Sequence, residues 1–312
     1  MPAAAVNRVA KVDRVIAVCV PSEPIAASLA DLPVEPLVWS GEDAAPDGLD
    51  RVEFLVPRYM AGPPPADSLA GLPNLRVVQL LSAGYETWLP LIPDGVQLCN
   101  GRGIHGASTA ELAIGGLIAL LRQLPRFHDD QLAGRWQRRR TDSLDGRQVL
   151  VLGAGDIGGR VAAAVTALGA EATVVARTPR PGVRTLDEVN GLLPEQDVVV
   201  VALPHTDETD RLVGAAFLAR LPDGACLVNV ARGAIVDTDA LVAELGTGRL
   251  RAFLDVTDPE PLPDGHPLWT APNVLITPHV GGGTHGWEDR SARLVHDQVA
   301  RYLAGEPLQN VV

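Results

Sequence analysis

The chain of 312 residues has little lysine and no long apolar run, and each shortage excludes a class of function. Its one lysine, Lys11, stands near the N-terminus, so no glycine-rich loop ends in the lysine that a P-loop requires. For the same reason, no residue after Lys11 could form a Schiff base through lysine. The longest helical apolar stretch, residues 114–121, is far shorter than the ~20 residues of a membrane span. We therefore expect no membrane partner.

Cysteine is also scarce, with three residues at positions 19, 99 and 226. They have no Cys-x-x-Cys spacing, and an odd number cannot all pair within one chain, so we interpret them as buried, reduced thiols. The apolar run at residues 15–20 is too short for the core of a signal peptide. These features predict a cytoplasmic protein.

The charge balance is acidic, with 38 Asp and Glu against 26 Lys and Arg and a formal net charge of −12. Binding of nucleic acid requires a basic face, so we expect no nucleic-acid partner. We interpret the basic triplet Arg138–Arg140 as a solvated surface turn. The seven histidines show no spacing typical of a metal site, so we expect no metal.

Short apolar runs alternate with helical or turn-rich segments along the chain. The predicted strands are residues 15–20, 54–56, 76–81, 96–98, 149–152, 172–176, 197–203, 225–230, 251–256 and 274–277. The main predicted helices are residues 108–127, 157–168, 186–192, 213–220, 238–245 and 286–304, the last packing back on the first domain. Residues 128–147 are polar and are predicted to connect. This alternation, at a length typical of two domains, predicts an α/β fold with parallel sheets flanked by helices.

A glycine loop, Gly153-Ala154-Gly155-Asp156-Ile157-Gly158, follows the strand at 149–152 and opens a helix. Gly153 permits the tight turn, Gly155 lets the backbone approach a pyrophosphate, and Gly158 lets the helix pack on the strand. The N–H groups at the helix start would bind the phosphates. We expect a dinucleotide site here, because the loop stands between a strand and a helix.

The identity of the dinucleotide depends on the end of the next strand. An NAD site has an acidic residue there, about 20 residues beyond the glycines, that binds the ribose 2′-hydroxyl. This chain has Ala176, followed by Arg177, Thr178 and Arg180, whose side chains suit a 2′-phosphate. We expect NADP(H) to be preferred. NAD(H) remains possible if both arginines are ordinary surface residues.

Further motifs occur in a fixed order along the rest of the chain. They are Asn100-Gly101-Arg102 through Thr109-Ala110-Glu111, Leu203-Pro204-His205-Thr206 with Thr209, Val228-Asn229-Val230-Ala231-Arg232-Gly233, Leu254-Asp255-Val256 with Glu260-Pro261, and Thr277-Pro278-His279. With these motifs the chain resembles the D-isomer-specific 2-hydroxyacid dehydrogenases from about Ser82 to its end. The resemblance implies two Rossmann-like domains, the cofactor domain (102–283) being inserted into a flavodoxin-like substrate domain (1–101 plus 284–312).

The resemblance also implies a set of catalytic and substrate-binding residues. His279 is the implied general acid/base, and Glu260 is its partner, because a carboxylate favours the protonated imidazole. Arg232 would bind the substrate carboxylate and polarise the carbonyl through its planar guanidinium. The backbone around Ser82-Ala83-Gly84 resembles the family's carboxylate-binding loop.

The cofactor residues implied in the same way lie along the second half of the chain. Asp255 would orient the nicotinamide carboxamide, and Thr109 would contact the nicotinamide ring. The full set is Thr109, Gly153, Gly155, Asp156, Ile157, Gly158, Arg177, Thr178, Arg180, Leu203, Pro204, His205, Thr209, Val230, Ala231, Asp255 and Gly281.

Each catalytic residue also has a structural interpretation. His279 could be a hydrogen-bonded loop histidine, Glu260 a surface charge, and Arg232 an ion-pair partner of Asp237. Tyr59, Tyr85 and Trp136 are candidate pocket residues, although packing is the commoner role of such side chains.

Within the family, residues 255–263 and 177–182 most resemble those of glyoxylate/hydroxypyruvate reductases, and this resemblance implies reduction of a small 2-keto acid. The alternatives are a phosphoglycerate dehydrogenase-like enzyme and a non-catalytic NAD(P)H-sensing protein. The apolar character of residues 108–127 and the family resemblance both favour a homodimer.

Overall fold

The computed structural model describes residues 14–60, 62, 63, 65 and 68–312, so Lys11 lies outside the described residues. The chain divides into two compact units. One contains the residues up to His105 together with His285–Val312, and the other contains Gly106–Thr284.

The described residues form two parallel sheets and the helices that cover them. The strands are β1 (Ile16–Val20), β2 (Val34–Val38), β3 (Val52–Leu55), β4 (Val77–Gln79), β5 (Gln97–Cys99), β6 (Gln148–Leu152), β7 (Glu171–Val175), β8 (Val183–Arg184), β9 (Val198–Val201), β10 (Cys226–Asn229), β11 (Arg251–Leu254) and β12 (Val274–Ile276). The α-helices are α1 (Glu23–Ala27), α2 (Gly106–Leu121), α3 (Leu124–Leu132), α4 (Asp156–Ala167), α5 (Val189–Leu192), α6 (Ala215–Leu218), α7 (Thr238–Gly246) and α8 (Trp287–Ala304). Among the described helices, none is long and apolar enough to cross a membrane.

The first unit has a five-stranded sheet in the order β2-β1-β3-β4-β5. This is the strand order of flavodoxin-like folds, as the family resemblance implies. Side chains of β1 alternate between two cores, Val18 packing with α8 and Cys19 packing on the opposite face. The predicted C-terminal helix is confirmed as α8, which packs on this sheet.

Strand β2 is absent from the prediction because its sequence, Val-Glu-Pro-Leu-Val, contains Pro36. A proline lacks the N–H that a central strand needs, and it is therefore tolerated at a sheet edge. β2 is such an edge strand, pairing with β1 alone within the described sheet.

The second unit has a seven-stranded sheet in the order β12-β11-β10-β9-β6-β7-β8. Its first six strands along the chain give the dinucleotide-binding order 3-2-1-4-5-6, and the strand order reverses between β6 and β9. The predicted α/β class with parallel sheets is confirmed. The sequence predicts six strands here and misses β8, which has only two residues and therefore no recognisable apolar period.

The predicted helix at residues 108–127 is wrong in its extent. Helix α2 ends at Leu121, Gln123 adopts a left-handed backbone with φ +52°, and α3 begins at Leu124. Pro125 stands in the first turn of α3, where its missing N–H costs nothing, whereas inside a longer helix it would clash with the preceding turn. Residues 128–132, predicted to connect, are therefore helical.

The surface turn predicted for Arg138–Arg140 is also partly wrong. Arg138 and Arg140 are exposed, but Arg139 is half-buried and donates to the buried carboxylate of Asp130 at 2.6 Å. Its guanidinium carbon lies 6.0 Å from the centre of the Phe127 ring. A buried carboxylate needs a cationic partner, and this need anchors Arg139.

Candidate active site

The predicted site residues of the second unit follow the carboxyl ends of neighbouring parallel strands. Loops after β10, β11 and β12 carry Arg232, Glu260 and His279, respectively. Because these three strands are adjacent and parallel, their carboxyl ends meet at one edge of the sheet. Such edges are where open α/β sheets bind ligands.

The glycine loop has the steric requirements that the sequence predicts. Gly153 has φ +121°, and a Cβ there would overlap the carbonyl oxygen of Ala202. A Cβ on Gly158 would overlap the carbonyl oxygen of Gly153. By contrast, a Cβ on Gly155, the N-cap of α4, would meet no atom within 4 Å, so open space adjoins the start of this helix. The loop therefore fits a pyrophosphate bound to the N–H groups of α4.

Asp156 is directed toward the start of α2. Its Oδ1 accepts from Arg160 Nε at 2.7 Å, and its Oδ2 lies against Gly106, where a Cβ would overlap it. Oδ2 is buried and meets no hydrogen-bond donor among the described residues. Arg160 thus compensates the charge that an acidic residue brings to a phosphate-binding helix start.

The end of β7 forms a tight turn closed by β8. Ala176 is buried, and its N–H donates to the carbonyl of Arg184 at 2.9 Å. Arg177, Thr178 and Arg180 are exposed on this turn.

Thr209 shapes the loop that follows β9. It is 4% exposed, and its hydroxyl donates to the Pro204 carbonyl and accepts from the Thr206 N–H, each at 2.8 Å. Leu203 is buried, and His205 Nε2 lies 2.8 Å from Asp210 Oδ1. The loop is therefore held by its own side chains.

Asp255 is the buried centre of the turn that carries His279. Its Oδ1 accepts from Thr277 Oγ1 at 2.6 Å and from the Val280 N–H at 2.9 Å, and its Oδ2 accepts from the Gly281 N–H at 2.9 Å. Its carbonyl accepts from the His279 N–H at 2.7 Å. Sequence reasoning assigned Asp255 to the cofactor alone and missed this anchoring role, for which an acidic residue at a strand end is the available signal.

Gly281 and Thr109 pack closely against this centre. A Cβ on Gly281 would lie 2.8 Å from Asp255 Oδ2 and 3.2 Å from Thr109 Cγ2. Two residues predicted for the cofactor site, distant in sequence, are thereby brought beside Asp255.

His279 and Glu260 form a direct pair, with Nδ1 2.6 Å from Oε1. Their side chains are 35% and 41% exposed, so the imidazole is accessible to a small molecule. His279 has φ +52°, a backbone conformation that is unusual for a residue with a side chain and that concentrates at functional sites.

The loop carrying Glu260 is fixed by the loop carrying Arg232. A Cβ on Gly233 would overlap the Thr257 carbonyl, so the two loops touch. Thr238 Oγ1 donates to the Asp258 carbonyl at 2.7 Å and adds a second tie.

The backbone of Arg232 is fixed by Asn229, a residue of the 228–233 motif to which sequence reasoning gave no role. Asn229 is 1% exposed, donates to the Arg232 carbonyl at 2.9 Å and accepts from the Ala231 N–H at 3.1 Å. The Arg232 side chain donates to the Ala231 carbonyl at 2.7 Å. Asp237, the alternative partner, caps α7 by accepting from the Ala240 N–H at 3.0 Å.

In the first unit, the Ser82–Gly84 loop follows β4 and turns its carbonyls inward. Gly101 N–H donates to the Ser82 carbonyl at 2.6 Å, Asn100 Nδ2 to that of Ala83 at 3.1 Å, and Ser82 Oγ to that of Gly84 at 2.8 Å. The N–H groups of Ala83 and Gly84 meet no acceptor among the described residues. These donors suit an anion such as a carboxylate.

The candidate pocket aromatics differ in their surroundings. Tyr59 stacks on His105, with ring centres 4.6 Å apart, and contacts Trp287 at 4.8 Å, which is packing within the first unit. Trp136 is 91% exposed. In the part of the chain that the structure describes, no group of three or more acidic, His or Cys side chains could hold a metal.

Comparison with known proteins identifies the family. Residues 114–281 match the NAD-binding domain of the D-isomer-specific 2-hydroxyacid dehydrogenases. The chain belongs to this family. It is an NAD(P)-dependent oxidoreductase.

Similar proteins include glyoxylate reductase of Aeropyrum pernix, 32% identical over 79% of this chain and 78% of that one. The glyoxylate reductase/hydroxypyruvate reductase of Homo sapiens is 30% identical over 75% and 76% of the two chains. D-3-phosphoglycerate dehydrogenase of Methanocaldococcus jannaschii is 31% identical over 70% of this chain but only 43% of its own length.

A similar solved structure is a D-isomer-specific 2-hydroxyacid dehydrogenase from Xanthobacter autotrophicus Py2 in complex with NADPH and MES. It has a TM-score of 0.82 and 31% identity, covering 95% of this chain and 97% of that one. The NADPH-dependent glyoxylate/hydroxypyruvate reductase of Sinorhizobium meliloti, in complex with NADP and sulfate, has a TM-score of 0.79 and 27% identity, with 96% and 98% covered.

From the hydrogen bonds that the Asp255 carboxylate accepts, we predict that Asp255→Asn lowers 2-keto acid turnover by on the order of 10-fold or more. The amide N–H₂ of asparagine would face one of the N–H or O–H donors from which the carboxylate now accepts a hydrogen bond. Asp258→Asn, an exposed change three residues away, is the control and should leave turnover unchanged. Steady-state kinetics on both variants, with thermal melts to verify folding, provide the measurement. Wild-type turnover in Asp255→Asn would contradict the anchoring role.

Proposed function

We propose that this protein reduces small 2-keto acids of the glyoxylate and hydroxypyruvate type to D-2-hydroxy acids with NAD(P)H. The observation that carries the proposal is the His279–Glu260 pair, 2.6 Å apart, in which Glu260 lies on a loop that touches the loop bearing Arg232. An acid, its carboxylate partner and a guanidinium are the groups that reduction of a keto acid requires.

The proposed chemistry assigns a separate task to each side chain. NAD(P)H, when bound, supplies the hydride to the carbonyl carbon. Glu260 engages Nδ1 of His279, so Nε2 is the nitrogen that gives its proton to the carbonyl oxygen. Arg232 binds the carboxylate and polarises the carbonyl. For the first unit by itself, we propose that the N–H groups of Ala83 and Gly84 are donors to a carboxylate.

We assign cofactor binding to residues 102–283 and substrate binding to residues 1–101 with 284–312. The match of residues 114–281 to an NAD-binding domain supports the first assignment. The open space beside Gly155 at the start of α4 supports a pyrophosphate there, held by the 153–158 loop.

The catalytic assignment predicts that His279→Ala lowers kcat by roughly 100-fold or more, while the Kd of NADPH changes little, because a general acid contributes about 10²–10⁴-fold to the rate.

Arg232→Lys should recover only part of the activity lost in Arg232→Ala, because lysine lacks the planar fork. Oxidation of NADPH with glyoxylate, hydroxypyruvate, pyruvate and bulkier keto acids is the assay. NADPH binding without turnover of any of them would instead indicate a sensor.

We propose NADP(H) as the preferred cofactor. The turn after β7 presents Arg177, Thr178 and Arg180 to solvent, and its first residue is a buried alanine where an NAD site has an acid. A 2′-phosphate would gain guanidinium contacts and meet no carboxylate at that position.

The cofactor proposal predicts that replacing both Arg177 and Arg180 by alanine raises the KM for NADPH by roughly 10-fold or more and leaves the KM for NADH nearly unchanged. Loss of charge-assisted hydrogen bonds to the phosphate is the reason. Arg220→Ala, another exposed arginine, is the control. Higher kcat/KM with NADH than with NADPH in the wild type would contradict the preference.

We also propose that the protein acts in the cytoplasm. Cys19, Cys99 and Cys226 are free and buried, which is typical of a reducing compartment. Burial raises the pKa of the Cys19 thiol to about 11 and keeps it protonated and unreactive.

We propose a homodimer in which the end of α3 and the segment at residues 133–140 contact a second copy. Leu132 is 74% exposed and Trp136 is 91% exposed, an unusual exposure for large apolar side chains. Two ion pairs to Asp130, from Arg135 at 2.8 Å and Arg139 at 2.6 Å, fix this segment. The segment is basic on an acidic chain, so it complements the surface of another copy.

The dimer proposal predicts that Trp136→Ala shifts the protein toward monomer at about 10 μM, because truncating a central interface tryptophan commonly costs ~2 kcal/mol or more. Trp269→Ala removes a half-exposed tryptophan elsewhere and should leave the dimer intact. Light scattering distinguishes the two states. A wild-type monomer, or an unaffected dimer in Trp136→Ala, would contradict the proposal.

A further inference from the structure

The last residues of the chain run along the edge of the first sheet, outside the proposed catalytic groups. Val311 forms an antiparallel bridge with Cys99, and the Val312 N–H donates to the Leu98 carbonyl at 3.1 Å. The Asn100 N–H donates to the Asn310 carbonyl at 3.0 Å. The segment thereby extends the sheet beyond β5.

Both polar atoms of the Asn310 side chain form hydrogen bonds with Arg102. Oδ1 accepts from Arg102 Nε at 3.0 Å, and Nδ2 donates to the Arg102 carbonyl at 2.9 Å. Asn310 has φ +57°, a conformation that asparagine tolerates better than most residues. Backbone and side chain of Asn310 thus hold residues 100 and 102 together.

Buried amide side chains connect the segment that carries Asn310 to the sheet and to α8. Gln298, fully buried, donates to the Gln309 carbonyl at 2.9 Å and to Gln79 Oε1 at 2.7 Å, and accepts from the Gln309 N–H at 2.8 Å. Gln79 in turn donates to the Asn100 carbonyl at 3.0 Å. Buried amides that are bonded on every side form a rigid support.

The supported residues hold the Ser82–Gly84 loop in turn. Asn100 Nδ2 donates to the Ala83 carbonyl, and the Gly101 N–H donates to the Ser82 carbonyl. A Cβ on Gly101 would lie 2.5 Å from the Leu81 carbonyl oxygen, so the two segments are in tight contact. A shift of residues 100–102 would therefore move the loop.

We propose that Asn310 is a positioning residue for substrate: it holds residues 100–102, and through them the Ser82–Gly84 loop, in the conformation that binds the substrate carboxylate. The inference rests on the proposed function, in which this loop binds the carboxylate. Asn310 touches neither substrate nor cofactor in this role. Replacing Asn310 should therefore change the KM for the keto acid rather than kcat, because Asn310 aligns donors without taking part in hydride or proton transfer.

Asn310→Gly is the decisive variant, because glycine keeps the left-handed backbone and removes only the side chain. We expect the KM for the keto acid to rise roughly 5- to 20-fold through the loss of two hydrogen bonds, with kcat within about 3-fold. The Kd of NADPH, from fluorescence titration, should stay unchanged, because the glycine loop belongs to the other unit. Asn310→Asp keeps the acceptor for Arg102 and should recover part of the KM.

Two further variants make the test specific. Arg102→Ala removes the Arg102 Nε donor but keeps the backbone carbonyl that Asn310 Nδ2 binds, so it should raise KM by less than Asn310→Gly does. The double variant should have the KM of Asn310→Gly alone. Arg102→Ala alone tests the positioning role if Asn310→Gly fails to fold. Asn273→Gly alters an exposed asparagine with a similar φ of +58° in the second unit and should leave KM unchanged.

The outcomes separate this inference from the proposed function. A wild-type KM in both Asn310→Gly and Arg102→Ala, or additive effects in the double variant, would overturn the positioning role while wild-type turnover still supports the reductase. An equal rise in the Kd of NADPH would indicate general loosening and would also overturn it. A wild type that binds NADPH but reduces no keto acid overturns both.

Discussion

The buried carboxylate of Asp255 is the constraint on which the candidate catalytic edge depends. Three donors of the 277–281 turn converge on its two oxygens, and its own carbonyl receives the His279 N–H. A buried charge is costly unless it is fully hydrogen-bonded, so the turn has few alternative conformations. These hydrogen bonds to Asp255 keep His279 in a left-handed backbone conformation and beside Glu260.

The same design, in which a buried polar group fixes a functional backbone, recurs elsewhere in the chain. Asn229 holds the backbone of Arg232, and the Gln79–Gln298 pair supports the residues next to the Ser82–Gly84 loop. In the proposed function, anions are bound by backbone N–H groups and by arginine, in a chain whose single lysine is Lys11. Arginine suits this task because its planar fork binds carboxylate or phosphate through two hydrogen bonds.

Local patterns were sufficient to predict most of the fold and the order of its motifs. The apolar runs at β6 and β9 and the glycine loop between strand and helix carry strong short-range signals. Prediction failed where a local pattern was weak or ambiguous: at β2 with its proline, at the two-residue β8, and at Pro125, which stands in the first turn of α3 near the end of the predicted helix at 108–127. Arg139 was misjudged because its partner, Asp130, is buried, and burial of a charged residue has no sequence signature.

The sequence by itself determined the α/β class, the dinucleotide loop and the residue types available for catalysis, because periodicity and glycine sterics act within a few residues. Only the tertiary structure decided which of these residues meet. The register of adjacent parallel strands brings Glu260 to His279 and makes Asp255 the centre of the histidine turn. Likewise, the return of the chain past β5 sets Asn310 against Arg102. Such contacts join positions far apart in sequence, and no short-range pattern specifies them.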